Sequence, residues 1–348
     1  MENQIENQIQ PRRDAPWRVW LWILIILVVV AVVAFIIWKF VLNKDQSPKN
    51  SSVTSNQVTT PTKESAPAET SQVEPKWQDK GVAVSGQFAD ADVVNLGNGK
   101  YRLYFAIEPE VPGNNLEIYS STSSDGVTWT KEDGTRKTMA TFPDVMKLAD
   151  GRFRMYFQNA GAIKSAISTD GVTWQDEAGT RIDKTESGFN LTNVGAQTTF
   201  KLDDGTYLMV YRGMIDQPYQ TSEKLPNQNT QLFFYATSSD GLTFTKKGLA
   251  LDSRNETLFG LADGAELVKW DDNQIRLYFW SYKGVYHISY TDGQFSTTPT
   301  FDFTNNTDPM VKFAPNPPGD PALIKINDAW FMYYGQHTKG IYYATLTE

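Results

Sequence analysis

The chain of 348 residues contains no cysteine, which removes disulfides, thiol nucleophiles and thiolate metal sites from consideration. Only two histidines are present, His287 and His337, so a multi-histidine metal centre cannot be assembled and no metal or other cofactor is expected. Acid–base chemistry therefore falls to carboxylates. Blocks of like charge are also missing. The net charge of −8 is spread along the chain, which argues against a nucleic-acid partner held through its phosphates.

Charge is absent altogether from Val19 to Trp38, 20 residues reading VWLWILIILVVVAVVAFIIW. At about 1.5 Å per helical residue this run can cross a hydrocarbon core of ~30 Å. It lacks the short apolar core and small-residue cleavage site of a signal peptide, so it reads as an uncleaved anchor. Trp17, Trp20, Trp22 and Trp38 sit near its ends, where amphipathic rings favour the interface. Arg12, Arg13 and Arg18 before the run are matched by Lys39, Lys44 and Lys49 after it. Orientation is taken instead from Gln46 to Glu74, rich in Ser, Thr, Pro and Gln, which reads as a stalk holding an exported domain off the cell membrane. The expected organisation is a cytoplasmic tail (1–16), a transmembrane helix (17–42), a flexible linker (43–75) and a folded domain (76–348) on the extracellular side.

The folded domain is built on a repeat. In TFPDVMKLADGRFRMYFQNAGAIKSAISTDGVTW, Thr141 to Trp174, two strand-like runs flank Asp150-Gly151, a dipeptide suited to the positive φ angles of a tight hairpin. A third apolar run ends in Ser-Thr-Asp-Gly-Val-Thr-Trp, a second turn leading to a fourth strand. The first hairpin recurs from Asp92, Thr198, Glu266 and Ala322, and the second turn recurs at Trp129 and Phe244, with a weaker copy at Phe295. Anchors at 92, 144, 198, 266 and 322 lie 52, 54, 68 and 56 residues apart, a period that predicts a five-bladed β-propeller, all-β in class. Strands such as Tyr101-Arg102-Leu103-Tyr104-Phe105 are apolar on both faces, as a blade covered by two neighbours requires. Asp125, Asp170 and Asp240 are expected to cap the second turns while Trp129, Trp174 and Phe244 fill the gaps between blades.

The last repeat has no fourth strand, whereas Lys76 to Ser85 resembles the fourth strands that lead into other blades. That segment is expected to pair with the C-terminal run and close the ring. In such a ring the first strands start at the axis on one face. Asp90 and Asp92, Asp144, Gln197 with Thr198, Asp263 with Glu266, and Asp320 would then meet at a common mouth, four blades of five supplying a carboxylate. Loops on that face carry Glu108, Glu110, Asp216, Tyr219 and Arg254, with Arg212 at the lip. Such a cup of acids, rings and arginines suits a carbohydrate.

Short motifs add a resemblance. Phe-Ala-Asp-Ala-Asp-Val (88–93) resembles the Ala-Asp-Pro-Asp-Val opening of the five-bladed propeller glycosidases, the arabinanase and xylosidase group of glycoside hydrolase family 43 and its furanosidase relatives. Phe-Pro-Asp-Val (142–145) is similar to their second-blade Ala-Pro-Asp-Val, and Asp-Gly-Ala-Glu-Leu (263–267) looks like a variant of the Glu-Gly-Pro-x-Leu segment bearing their general acid. The turns at Trp129 and Trp174 are similar to the Asp-box of sialidase propellers, shortened by one residue. The resemblance implies Asp90 as general base with Asp92 beside it, and Asp263 as general acid with Glu266 three residues on. The third-blade Asp that tunes the acid in that family is replaced by Gln197-Thr198, so Asp144 or Asp320 would have to serve. The expectation is a membrane-anchored glycoside hydrolase-like propeller acting on an extracellular glycan or oligosaccharide. Asp90, Asp92, Asp144, Asp263 and Glu266 would carry catalysis, and Asp320, Arg212, Gln197, Glu108 and Tyr219 would touch substrate. A non-catalytic carbohydrate-binding propeller and a protein-docking propeller are the alternatives.

Overall fold

A computed structural model describes residues 76–109, 111–220, 229–306 and 312–347. The expected tail, transmembrane helix and linker, and Glu110, lie outside the described residues. Among the described residues every regular element is a β-strand, and no helix is long and apolar enough to cross a membrane.

Five antiparallel sheets carry the fold. Blade one runs Phe88–Gly97, Lys100–Ile107, Glu117–Ser123 and Thr130–Lys131; blade two runs Thr141–Lys147, Phe153–Asn159, Ala162–Ser168 and Gln175–Asp176. Blade three is Asn193–Lys201, Tyr207–Ile215, Thr230–Ser238 and Thr245–Leu251; blade four is Asp263–Lys269, Ile275–Ser281, Gly284–Thr291 and Gln294–Phe295. Blade five takes Gly319–Ile326, Ala329–Gln336 and Gly340–Thr347 from the end of the chain and its outer strand, Lys76–Ser85, from the start. The ring therefore closes as the repeat pattern requires: Lys76 pairs with Thr347 and Ser85 with Gly340, antiparallel.

The core is divided among the five blade interfaces. Between blades one and two, for example, Tyr104, Phe157, Ile118, Val145 and Met155 form one buried cluster; between blades two and three Tyr156, Met209, Tyr211 and Phe234 form another. Each sheet thus buries both faces, which is why its strands carry so few surface-type residues.

The second turns lock neighbouring blades at the periphery. Asp125 Oδ1 accepts from the amides of Val127 and Thr128, each at 2.8 Å, and Asp170 and Asp240 repeat the arrangement in blades two and three. These bonds to the ionised carboxylate hold Asp125 and Asp240 down at about 2. The preceding blade reaches in each time: Tyr333, Tyr104 and Tyr156 donate their hydroxyls to the carbonyls of Gly126, Gly171 and Gly241, all at 2.7 Å. The rings of Trp129, Trp174 and Phe244 pack edge-on against those same tyrosines, at centroid distances of 5.3, 6.1 and 6.0 Å. These turns are structural.

Closure by the leading strand can be tested. Trp77 on that strand is buried among Val268, Tyr278, Trp330 and Tyr334. Trp77→Ala is expected to lower the free energy of unfolding by about 3–5 kcal/mol in denaturant titrations. Removing residues 76–85 should abolish the cooperative transition, and an unchanged Tm after that deletion would refute closure.

Candidate functional site

The site is made by one irregularity repeated five times. In each blade the pairing of the first two strands skips two residues, passing from Ala89 to Asp92, Thr141 to Asp144, Gly195 to Thr198, Asp263 to Glu266 and Gly319 to Ala322. The first skipped residue is left-handed in every case, with φ of 54° at Asp90, 51° at Phe142, 46° at Ala196, 63° at Gly264 and 47° at Asp320. Bulges of this kind re-aim side chains. Here they divide the converging residues into tiers.

The deeper tier holds Asp92, Asp144, Thr198, Glu266 and Ala322, one per blade, and three of its polar members accept an amide of the next blade. Val145 N donates to Asp92 Oδ2 at 3.0 Å, Leu267 N to Thr198 Oγ1 at 3.0 Å and Leu323 N to Glu266 Oε1 at 3.3 Å. Asp92, Asp144, Glu266 and Gln197 line an axial cavity of ≈ 20 Å³, room for about one water. Burial pushes Asp92 up to about 7 against the pull of the Val145 and Val93 amides. Asp144 is held well above the usual carboxylate range by burial and then by Asp92, and Glu266 by burial, Asp92 and Asp144.

The outer tier opens into a cleft of ≈ 620 Å³ lined by, among others, Asp90, Glu108, Arg212, Asp263, Trp280 and Asp320. Phe142 N donates to Asp90 Oδ2 at 3.0 Å, and Trp280 Nε1 donates to Asp320 Oδ1 at 3.1 Å. Arg212 Nη1 donates to Asp263 Oδ2 at 2.9 Å, both side chains being 8% exposed, and Gly264 N donates to the other oxygen. Burial pushes Asp90 up to about 8, reinforced by the charges of Glu108 and Asp263 and opposed by the Phe142 amide and Arg212. Asp320 is raised well above its ordinary value by burial, then by Asp90 and Asp263. Acids crowded together in a site with little water cannot all ionise.

The mouth is layered. Asp90, Asp263, Asp320, Glu108 and Arg212 come together in the cleft, and Asp92, Asp144, Glu266 and Gln197 face the axial cavity, which Asp90, Phe142 and Asp320 line as well. Asp144 and Glu266 stand at the register position of Asp92, not of Asp90, whose counterparts are Phe142, Ala196, Gly264 and Asp320. Gln197 donates to the Phe142 carbonyl at 2.6 Å. Tyr219 packs against Gly260 instead of lining the cleft, Asp216 is exposed, and Arg254 is exposed and paired with Asp252.

Trp280, Tyr282, Asn193, Gln231, Phe142 and His337 also line the cleft and were not singled out by motif. One signal was present for Trp280. It follows the apolar run of a second strand, at the position held by Ala106, Gln158, Arg212 and Gly335 in the other blades. Its chemistry changes from blade to blade while the residue before it stays aromatic, as Phe105, Phe157, Tyr211, Phe279 and Tyr334.

The buried acids fix the sign of a pH effect. Asp90 and Asp92 ionise near 3.8 when exposed, and near about 8 and about 7 in the fold. Between about pH 4 and about pH 8 the folded chain keeps protons that the unfolded chain has released, so stability falls as pH rises and levels off above that window. Thermal unfolding is expected to give a lower Tm at pH 8 than at pH 5, with the difference reduced in Asp92→Asn. A Tm that climbs across the window would contradict the burial of these groups.

No family model and no curated protein sequence matches this chain. Solved structures do. A family-43 β-xylosidase/α-arabinofuranosidase from a compost microbial metagenome is 16% identical with a TM-score of 0.53, over 79% of this chain and 96% of that one. A structure described under the GH130 family of mannoside phosphorylases, which contains glycoside hydrolases that target β-1,2 mannosidic linkages in Candida mannan, is 15% identical with a TM-score of 0.54 over 80% and 92%. A putative glycosidase from Bacteroides thetaiotaomicron is 14% identical with a TM-score of 0.55 over 75% and 86%. What this chain shares with these proteins is the five-bladed β-propeller fold.

Proposed function

We propose that the cleft binds a glycan and that Asp90 and Asp263 act on it as an acid–base pair, making the protein a glycoside hydrolase-like propeller. The observation that carries this reading is the convergence of Asp90, Asp263, Asp320 and Glu108, from three blades, on one cleft with Arg212 and the Trp280 and Tyr282 rings. Carboxyls and rings are the groups that bind sugar hydroxyls and stack on sugar faces. The fold neighbours that act on glycosidic linkages lend the reading a precedent, and no more.

Hydrolysis needs one carboxyl protonated and another ionised across the scissile bond. Asp90, with its proton retained to about 8, suits the donor to the leaving oxygen. Asp263, ion-paired with Arg212 at 2.9 Å, is assigned as its partner. This division reverses the roles that the motif resemblance implies, and it follows from the burial of Asp90 and the Arg212 ion pair at Asp263. The uncharged run Val19 to Trp38 supports a membrane tether, and the Ser, Thr, Pro and Gln-rich stretch Gln46 to Glu74 supports a propeller outside, acting on an extracellular glycan.

A second reading, a binding propeller without turnover, is favoured by one specific feature. The third blade contributes Ala196, Gln197 and Thr198 where an acid would be wanted.

The two readings diverge on a panel of aryl arabinosides, xylosides and mannosides. Turnover that falls by about 10²–10⁴-fold in Asp90→Asn, and that declines above about pH 8 in the unmodified protein as Asp90 ionises, is the expected result. Saturable sugar binding with no turnover in either form would establish the second reading instead.

A further inference from the structure

The second-strand residues opposite the start of each bulge, Ala106, Gln158, Arg212, Trp280 and Gly335, form a ring of their own around the cleft face. Three have long side chains, and these pass from blade to blade in one direction. Arg212 Nη2 of blade three donates to Gln158 Oε1 of blade two at 3.1 Å and to Asn193 Oδ1 at 3.2 Å. Arg212 Nη1 then donates into blade four at Asp263, and Trp280 of blade four donates into blade five at Asp320.

Gln158 reaches Arg212 by lying across Gly195. A Cβ on Gly195 would sit 1.6 Å from Gln158 Oε1, 2.5 Å from its Cδ and 2.9 Å from its Cγ. Gly195 is not in the left-handed region, so its lack of a side chain provides space and not backbone freedom. The Phe142 ring, 5.3 Å from the guanidinium carbon, bounds Arg212 on another side.

We propose that Gln158, seated in the notch left by Gly195, is a positioning residue that fixes the Arg212 guanidinium between Asp263 and Asp90. The inference rests on the acid–base reading of those two carboxyls. Its physical basis is the neutrality of the acceptors. A long arginine in a cleft with several acids has competing partners, and it needs other anchors to stay on one of them. Gln158 and Asn193 hold two of its N–H bonds without cancelling its charge, so the charge is left to act on Asp263 and Asp90. The third blade, which lacks a carboxylate of its own, thereby supplies a cation whose place is set by its neighbour.

The test uses full-length protein carrying ¹³C-labelled aspartate carboxyls, with the Asp90 signal assigned by its loss in Asp90→Asn. In Gln158→Ala the Asp90 midpoint is expected to rise by about 0.5 pH unit or more, because a nearby cation that favours the ionised form has been loosened. Gly195→Ala should do the same by pushing Gln158 aside. The double variant should match Gln158→Ala in both midpoint and Tm, since the side chain that the new methyl would displace is gone. A merely structural role would lower Tm and leave the midpoint in place, and that result in Gln158→Ala overturns the proposal. So does a Gly195→Ala effect that persists undiminished in the double variant. Gln158→Ala only removes atoms from a half-buried position, so the midpoint can be read whether or not Gly195→Ala folds. Hydrolysis and sugar binding are measured separately, so a cleft that takes no glycan would end the functional reading while the carboxyl midpoints still decide the positioning role.

Discussion

The axis of a small propeller has almost no room for water, and polar groups brought there must be satisfied by other blades. Five first strands meet at that axis, and the cavity between them has room for about one water molecule. A carboxyl turned inward therefore has two remedies, a backbone amide of the next blade or a proton. The structure uses both. Asp92 takes the Val145 amide and Glu266 takes the Leu323 amide, and both are still raised by the desolvation that amide bonds only partly offset. The result is a ring stitched around its own centre by side chains that, one tier further out, become the floor of a cleft.

The same cross-blade logic holds the rim. At the periphery the Asp125, Asp170 and Asp240 turns are water-exposed, so their carboxylates stay ionised and accept amides at low cost. At the axis the identical residue type is buried and keeps its proton. Solvent access, together with the bonds and charges around each group, separates a turn cap from a candidate acid. Counting aspartates in the sequence cannot make that distinction, whereas their positions within the repeat largely can.

The large features were legible because they repeat. A period near 54 residues, hairpins with Asp-Gly corners and a leading strand without a blade of its own were enough to specify five blades and the way they close. The tiers were not legible, because a bulge of two residues with one in the left-handed region is invisible to a pattern of alternating apolar positions. Asp90 and Asp144 look equivalent in their motifs, yet Asp144 pairs where Asp92 does, and the counterpart of Asp90 in blade two is Phe142. Tyr219 was placed by the loop it lies on, and a loop's face does not determine where its side chains settle.

Five similar blades could give a symmetric mouth, and what makes this one directional is a single variable position. Alanine and glycine occupy it in blades one and five, and Gln158, Arg212 and Trp280 occupy it in blades two, three and four. Where the residue is small the neighbouring strands come close, as at Gly335, where a Cβ would lie 3.6 Å from the Ala89 backbone. Where it is large it reaches the next blade. Asp263 gains a cation in this way and Asp320 an indole donor, while Asp90, following the small Gly335, accepts from the Phe142 amide and is raised chiefly by burial. The difference in partners between carboxyls in one cleft thus arises from side-chain size at one repeated position on a framework that is otherwise nearly uniform. A ligand that displaces water from the cleft would sharpen the contrast, because the ion pair at Asp263 strengthens and the uncharged form of Asp90 is favoured by the same loss of solvent.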